Sequence, residues 1–143
     1  MKKYLATLGL SLFAIYPAMA TKCLPLTIRK EFAASTVVVA AEARGVSITV
    51  SPDQPGMFRQ TVLWRVHETW KGKHLYGQDF TTRTQINCKT CTSYKLSPGK
   101  SMVLYLTGRE PYVLDWCSRS NKLELSIKDI PTLYKLSSAQ NGT

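Results

Sequence analysis

Residues 58–73 read FRQTVLWRVHETWKGK, and their alternation decides the fold class. The even positions are Phe58, Gln60, Val62, Trp64, Val66, Glu68 and Trp70, and five of these seven are large and apolar. The odd positions are Arg59, Thr61, Leu63, Arg65, His67 and Thr69, and only one of these six is apolar. Successive side chains on a strand point to opposite faces, so the stretch predicts a long strand with one dry face and one wet face. A helix would scatter Trp64, Val66 and Trp70 and carry Arg59 and Arg65 into the core stripe. Gly72 ends the strand. Glu68, alone on the dry face, marks the strand leaving the core.

Upstream, Leu26–Ala34 (LTIRKEFAA) predicts a short helix with Ile28 and Phe32 on one face. Thr36–Ala41 (TVVVAA) is a β-rich run continuing to Val50, with Gly45 marking a bend or bulge. Ser51–Gly56 (SPDQPG) is a turn cluster, so this strand and the organising one are expected to pair as an antiparallel hairpin. Downstream, Gln78–Ile86 is a polar strand and Cys88–Gly99 a loop. Ser101–Thr107 (SMVLYLT) is apolar almost throughout, which suits a central strand buried on both sides. Gly108–Pro111 is a turn, and Tyr112–Cys117 a fifth strand. Asp129 is placed to cap a final helix over Ile130–Leu136, with Pro131 in its first turn and Ile130, Leu133 and Leu136 toward the core. Five strands with a helix at each end predict a mainly β protein, a five-stranded OB-fold-like barrel with short flanking α-helices. A β-sandwich is the alternative, for which seven strands are more usual.

The first twenty residues stand apart. Lys2 and Lys3, a short apolar run from Leu5 to Tyr16, and Ala18-Met19-Ala20 have the form of a bacterial secretory signal peptide with a small-x-small cleavage site. The run is short for a membrane anchor, and Lys22 before Cys23 does not suit lipid attachment. The expected organisation is a signal at 1–20, one domain at 21–137 and a flexible tail at 138–143, with a periplasmic or secreted destination. Asn141-Gly142-Thr143 has the form of a glycosylation sequon, which carries little weight in such a context.

Nineteen basic residues stand against nine acidic ones; removing Lys2 and Lys3 leaves seventeen against nine, a net charge of +8. The basic residues are dispersed, and an exported chain meets little nucleic acid, so the charge points to an acidic protein partner, an anionic envelope glycan or lipid, or simple solubility. Arg59, Arg65 and Arg83, with Lys71 and Lys73, are candidates for one basic strip on the wet face, where OB folds often bind ligands; a plain solvated face is the bland alternative.

The four cysteines, Cys23, Cys88, Cys91 and Cys117, argue for two disulfides in an exported domain, with three pairings open. A thiol oxidoreductase using Cys88-x-x-Cys91 is a minor alternative, in a poor context for the helix N-terminus that activates such a pair, and Cys23 and Cys117 are each too isolated for a structural zinc cluster. His67 and His74 read as surface residues. No nucleophile elbow, paired carboxylates, phosphate loop or metal signature is present, so neither an enzyme nor a cofactor is expected.

Cys23-Leu24-Pro25, the passage from Phe32 to Arg44, Trp70-Lys71-Gly72, Cys91 with Gly99 and the Met102–Leu106 strand, and Cys117-Ser118-Arg119-Ser120 together resemble the tissue-inhibitor-of-metalloproteinases-like and netrin-module-like OB folds. The resemblance spans about 100 of the 123 residues after the signal. It implies a protein partner, a protease, met through the N-terminus at Thr21 and Lys22, where the family chelates a target's zinc with its α-amine and first carbonyl. Thr21 stands where those inhibitors have their first cysteine, so the amine is not clamped by a disulfide. Cys23 matches their second cysteine. The resemblance therefore implies Cys23–Cys117, and leaves Cys88–Cys91 as a local pair.

Overall fold

The run at 36–41 offers no wet face, and a strand built from it needs cover on both sides. The computed structural model, which describes Cys23 and residues 25–87, 96–115 and 117–142, provides that cover. Strand β1 (Val37–Val50) lies between β2 (Met57–Lys71) and β4 (Ser101–Leu106), antiparallel to both. Strand β3 (Asp79–Asn87) pairs antiparallel with β2, β5 (Tyr112–Val113) runs parallel to β3, and β6 (Asn121–Lys122) pairs with β4. The order β5-β3-β2-β1-β4-β6 makes a mainly β, curled half-barrel. An isolated antiparallel bridge between Thr107 and Val113 draws the ends of β4 and β5 together. Helices α1 (Ile28–Ala34), α2 (Leu123–Ser126) and α3 (Ile130–Asn141) flank the sheet, with a 3-10 turn at Ile127–Asp129 leading into α3.

The sheet has two apolar layers. Inside the curl, Val37, Val39, Ala41, Trp64, Leu104 and Leu106 pack with Phe80, Tyr112 and Leu114. On the outer side of β1 and β4, Val38, Ala40, Val103 and Tyr105 pack against Phe32 of α1 and Leu133 of α3. Each register pair keeps to one layer: Val39 opposes Leu104 on the inside, and Ala40 opposes Val103 on the outside. Ile28, Ile130 and Leu136 complete the outer layer, as the helical periodicity predicted. Thr27 caps α1 by accepting from the Lys30 amide at 3.3 Å.

The long second strand forms, but its alternation does not run unbroken. Val62, Trp64 and Val66 face the inner layer, whereas Trp70 lies in the outer one. The pairing steps from Ala41–Val66 to Ala40–Glu68, leaving His67 as an extra residue. One extra residue reverses which face the following side chains take, so Glu68 changes sides, and Trp70 is itself a second extra residue, between Thr69 opposite Val39 and Lys71 opposite Val38. A similar irregularity on β1, between Ala43 and Gly45, bears out the expected bulge there.

Other expectations need correction. Among the described residues there are six strands rather than five: Asn121–Lys122 adds a two-residue strand with no apolar signature. The fifth strand stops at Val113 rather than Cys117, because Asp115 folds the chain into a turn. Its carboxylate accepts from the Cys117 amide at 2.8 Å and its carbonyl from Ser118 at 3.0 Å. Asp129 occupies the position before α3 but makes no side-chain cap, since its carboxylate is bound by Arg119. Helix α3 runs past Leu136 to Asn141. The signal region, Thr21, Lys22 and the Cys88–Cys91 pair lie outside the described residues.

The pairing implied by resemblance is present: Cys23 is bonded to Cys117 across 94 residues. In the chain-entropy picture a loop near this length stabilises by about 4–5 kcal/mol. The double variant Cys23→Ser, Cys117→Ser is expected to lose about that much in urea unfolding. Gly72 is a second sensitive point: its φ is +102°, and a Cβ there would meet Val37 Cγ2 at 2.9 Å. Gly72→Ala is expected to cost about 1–3 kcal/mol in the same assay.

Candidate functional site

The five cations expected to form a strip are distributed by the sheet among different tasks. Arg65 sits on β2 opposite Asp79 on β3, and its guanidinium grips that carboxylate with two bonds of 2.8 and 2.9 Å. The bonds hold Asp79 below its ordinary carboxylate range and raise Arg65 further. Arg59 pairs with Asp53 of the β1–β2 turn at 3.0 Å. Lys71 leaves the face altogether. Its ammonium donates to the carbonyls of Phe32 and Ala33 at 2.7 and 3.1 Å and lies 5.3 Å from the Phe32 ring centre. It thus satisfies the open C-terminal carbonyls of α1, a structural role. Arg83 remains on the exposed face of β3, and Lys73 lies beyond the end of β2; neither makes an ion pair with a described residue.

What remains on the outward face of β2 and its neighbours is a surface of hydroxyls and isolated apolar groups. Thr61 and Thr81 alternate with Arg65 and Arg83, and Leu63 and Val113 are exposed among them. His67 lies at the edge of this face, 3.5 Å from the Glu42 carboxylate and against the Tyr76 ring.

A second feature escaped the sequence reading. A groove of about 680 Å³ opens where β1 begins, walled by the segments that follow β2 and β4. The first wall carries Gly72 and Lys73, the second Gly108, Arg109 and Glu110, and the buried Val37 and Tyr112 lie between them. The topology explains the placement: β2 and β4 both run antiparallel to β1, so both end beside its start. The signal in the sequence was a repeated local pattern, a strand-ending glycine followed directly by a cation, at Gly72-Lys73 and Gly108-Arg109.

His74 corrects the expectation of a surface histidine. It is 7% exposed, stacked on Phe80 and hydrogen-bonded through Nε2 to the Tyr112 hydroxyl at 2.9 Å. The chain reaches this position because the segment after β2 folds back, with the Thr69 hydroxyl donating to the His74 carbonyl at 2.8 Å. Burial lowers the pKa of the ring below its ordinary value, and burial raises that of the Tyr112 hydroxyl.

The N-terminal segment is held at a third place. Arg119 donates to the Leu26 carbonyl at 2.7 Å and binds Asp129 with its other terminal nitrogen, so one guanidinium ties the chain after Cys23 to the start of α3. The neighbouring Tyr105 hydroxyl is buried, and its pKa is pushed up to about 12, chiefly by desolvation. Thr21 and Lys22, the residues implied for contact with a protease, lie outside the described residues.

The depressed His74 pKa gives a pH dependence with a definite sign. The folded ring takes a proton less readily than the unfolded one, so its contribution is complete above about 6.5 and is lost as pH falls from there through the folded value. Urea unfolding at pH 7.5 and at pH 5 is expected to show lower stability at pH 5, and His74→Gln to flatten the difference; an unchanged slope in the variant would contradict this.

A scan against protein-family models finds no match to this chain, and a search of curated proteins finds no significant relative.

Proposed function

We propose that this chain is an exported, non-enzymatic, disulfide-bonded module of the OB type that binds a protein partner, with a protease as the candidate that the resemblance to metalloproteinase inhibitors indicates. Connectivity supports the finer fold assignment. A five-stranded Greek-key barrel would be completed here by the β1–β2–β3 meander, the parallel β3–β5 pair, the β1–β4 pair and closure at Thr107–Val113, with β6 as a short addition. The Cys23–Cys117 bridge and the Arg119 tie to Leu26 support an N-terminal segment fixed to the barrel, which a contact made by that segment would require.

The observation that carries the choice of partner is the fate of the basic strip. Arg65, Arg59 and Lys71 are engaged by Asp79, Asp53 and the end of α1. A polyanion would have to compete for these cations, whereas a protein surface can use the hydroxyls and exposed apolar groups around Leu63 as they stand. Binding of an anionic envelope glycan or lipid is the alternative, and it differs in its salt dependence.

A photoreactive residue placed at Leu63 in the protein exported by its host, with one at exposed Glu124 as control, separates the two. A discrete protease-sensitive adduct from position 63 alone is expected. Its absence, together with salt-sensitive binding to anionic vesicles that Arg83→Glu weakens, would replace this reading by the alternative.

A further inference from the structure

The groove at the start of β1 uses none of the residues around Leu63. We infer that it binds a carboxylate of an acidic peptide segment, an inference that rests on the reading that the partner is a protein. Lys73 and Arg109 are set on its two walls, each directly after a glycine with positive φ, +102° at Gly72 and +82° at Gly108. Both glycines are fixed against Thr36, the residue just before β1. A Cβ on Gly72 would lie 3.4 Å from the Thr36 carbonyl, and the Gly108 amide donates to the Thr36 hydroxyl at 3.2 Å. The backbones that carry the two cations are thereby held on either side of one residue.

The nearby acid does not occupy them. The Glu110 carboxylate accepts from the Thr81 amide at 2.8 Å and lies 3.4 Å from the Thr81 hydroxyl, and Lys73 and Arg109 make no ion pair with a described residue. Between the walls lie Val37 and Tyr112, both buried in the core, and the Tyr112 hydroxyl is held by His74. Two exposed cations on facing walls match a carboxylate, since each can supply a charge-assisted bond. The volume of about 680 Å³ is within the range of ligand-binding clefts.

The test is an amide-detected NMR titration of the full mature chain with the blocked tetrapeptide Phe-Asp-Leu-Glu, its uncharged counterpart Phe-Asn-Leu-Gln, and inorganic phosphate. The acidic peptide is expected to shift the signals of Lys73, Arg109 and Tyr112, and the uncharged one to leave them in place. Lys73→Gln and Arg109→Gln are each expected to weaken binding by about tenfold, the scale of one charge-assisted hydrogen bond, with Arg65→Gln as an unaffected control. No shift with the acidic peptide, equal shifts with the uncharged one, equal loss in Arg65→Gln, or tighter binding of phosphate at the same signals would each overturn the inference. None of these outcomes involves crosslinking at Leu63, so the groove and the partner-binding reading fail separately.

Discussion

The fold depends on burying both faces of the first half of β1. Val37 to Ala41 are all buried, with alternate residues committed to the inner and the outer layer. No single sheet face can hide such a run, so the helices are required to cover one side while the curl of the sheet covers the other. Much else follows from that requirement. Helix α1 must end beside β1, which brings its terminal carbonyls to Lys71. Helix α3 must return to the same face, which places Asp129 within reach of Arg119 and ties in the segment after Cys23. The second half of β1 is released from the core, and Ser47 to Val50 are exposed.

The same division separates structural charges from available ones. A cation near the outer layer has helix ends and loop carbonyls to satisfy, and Lys71 and Arg119 are used there. A cation on the β2–β3 ladder meets the acid that the register sets opposite it, as Arg65 meets Asp79. Lys73 and Arg109 lie beyond the strand ends, where no ladder supplies a described partner. Their accessibility is thus a consequence of topology rather than of local sequence. Net charge alone is a poor guide to ligand class here, because the strongest cationic contacts visible in the chain are internal.

Sequence periodicity carried the architecture as far as it depends on local pattern. The alternation from Phe58 to Val66, the apolar run of β4 and the helical spacing of Ile130, Leu133 and Leu136 each report which faces are buried, and the structure agrees. Periodicity could not reveal the extra residue at His67, because a bulge is defined by the partner strand and leaves Glu68 and Trp70 in phase with the pattern. The short β5 and β6 are held by backbone pairing to β3 and β4, so their side chains have no alternation to read. The candidate site was legible only as faces. Arg59, Arg65 and Lys71 could be assigned to a wet side, but their partners Asp53, Asp79 and Phe32 follow from turn lengths and helix docking. His74 was unreadable for the same reason: its burial comes from Phe80 and Tyr112, which the fold brings to it.

Native-state hydrogen exchange along β1 tests the central claim most directly. If double burial of its first half holds the molecule together, the amides of Val38 to Ala41 exchange only through global unfolding, with a denaturant dependence equal to that of the whole molecule. Those of Ser47 to Val50 then exchange through local opening. Exchange of Val38 to Ala41 by local opening, with slower exchange elsewhere in the sheet, would contradict the account.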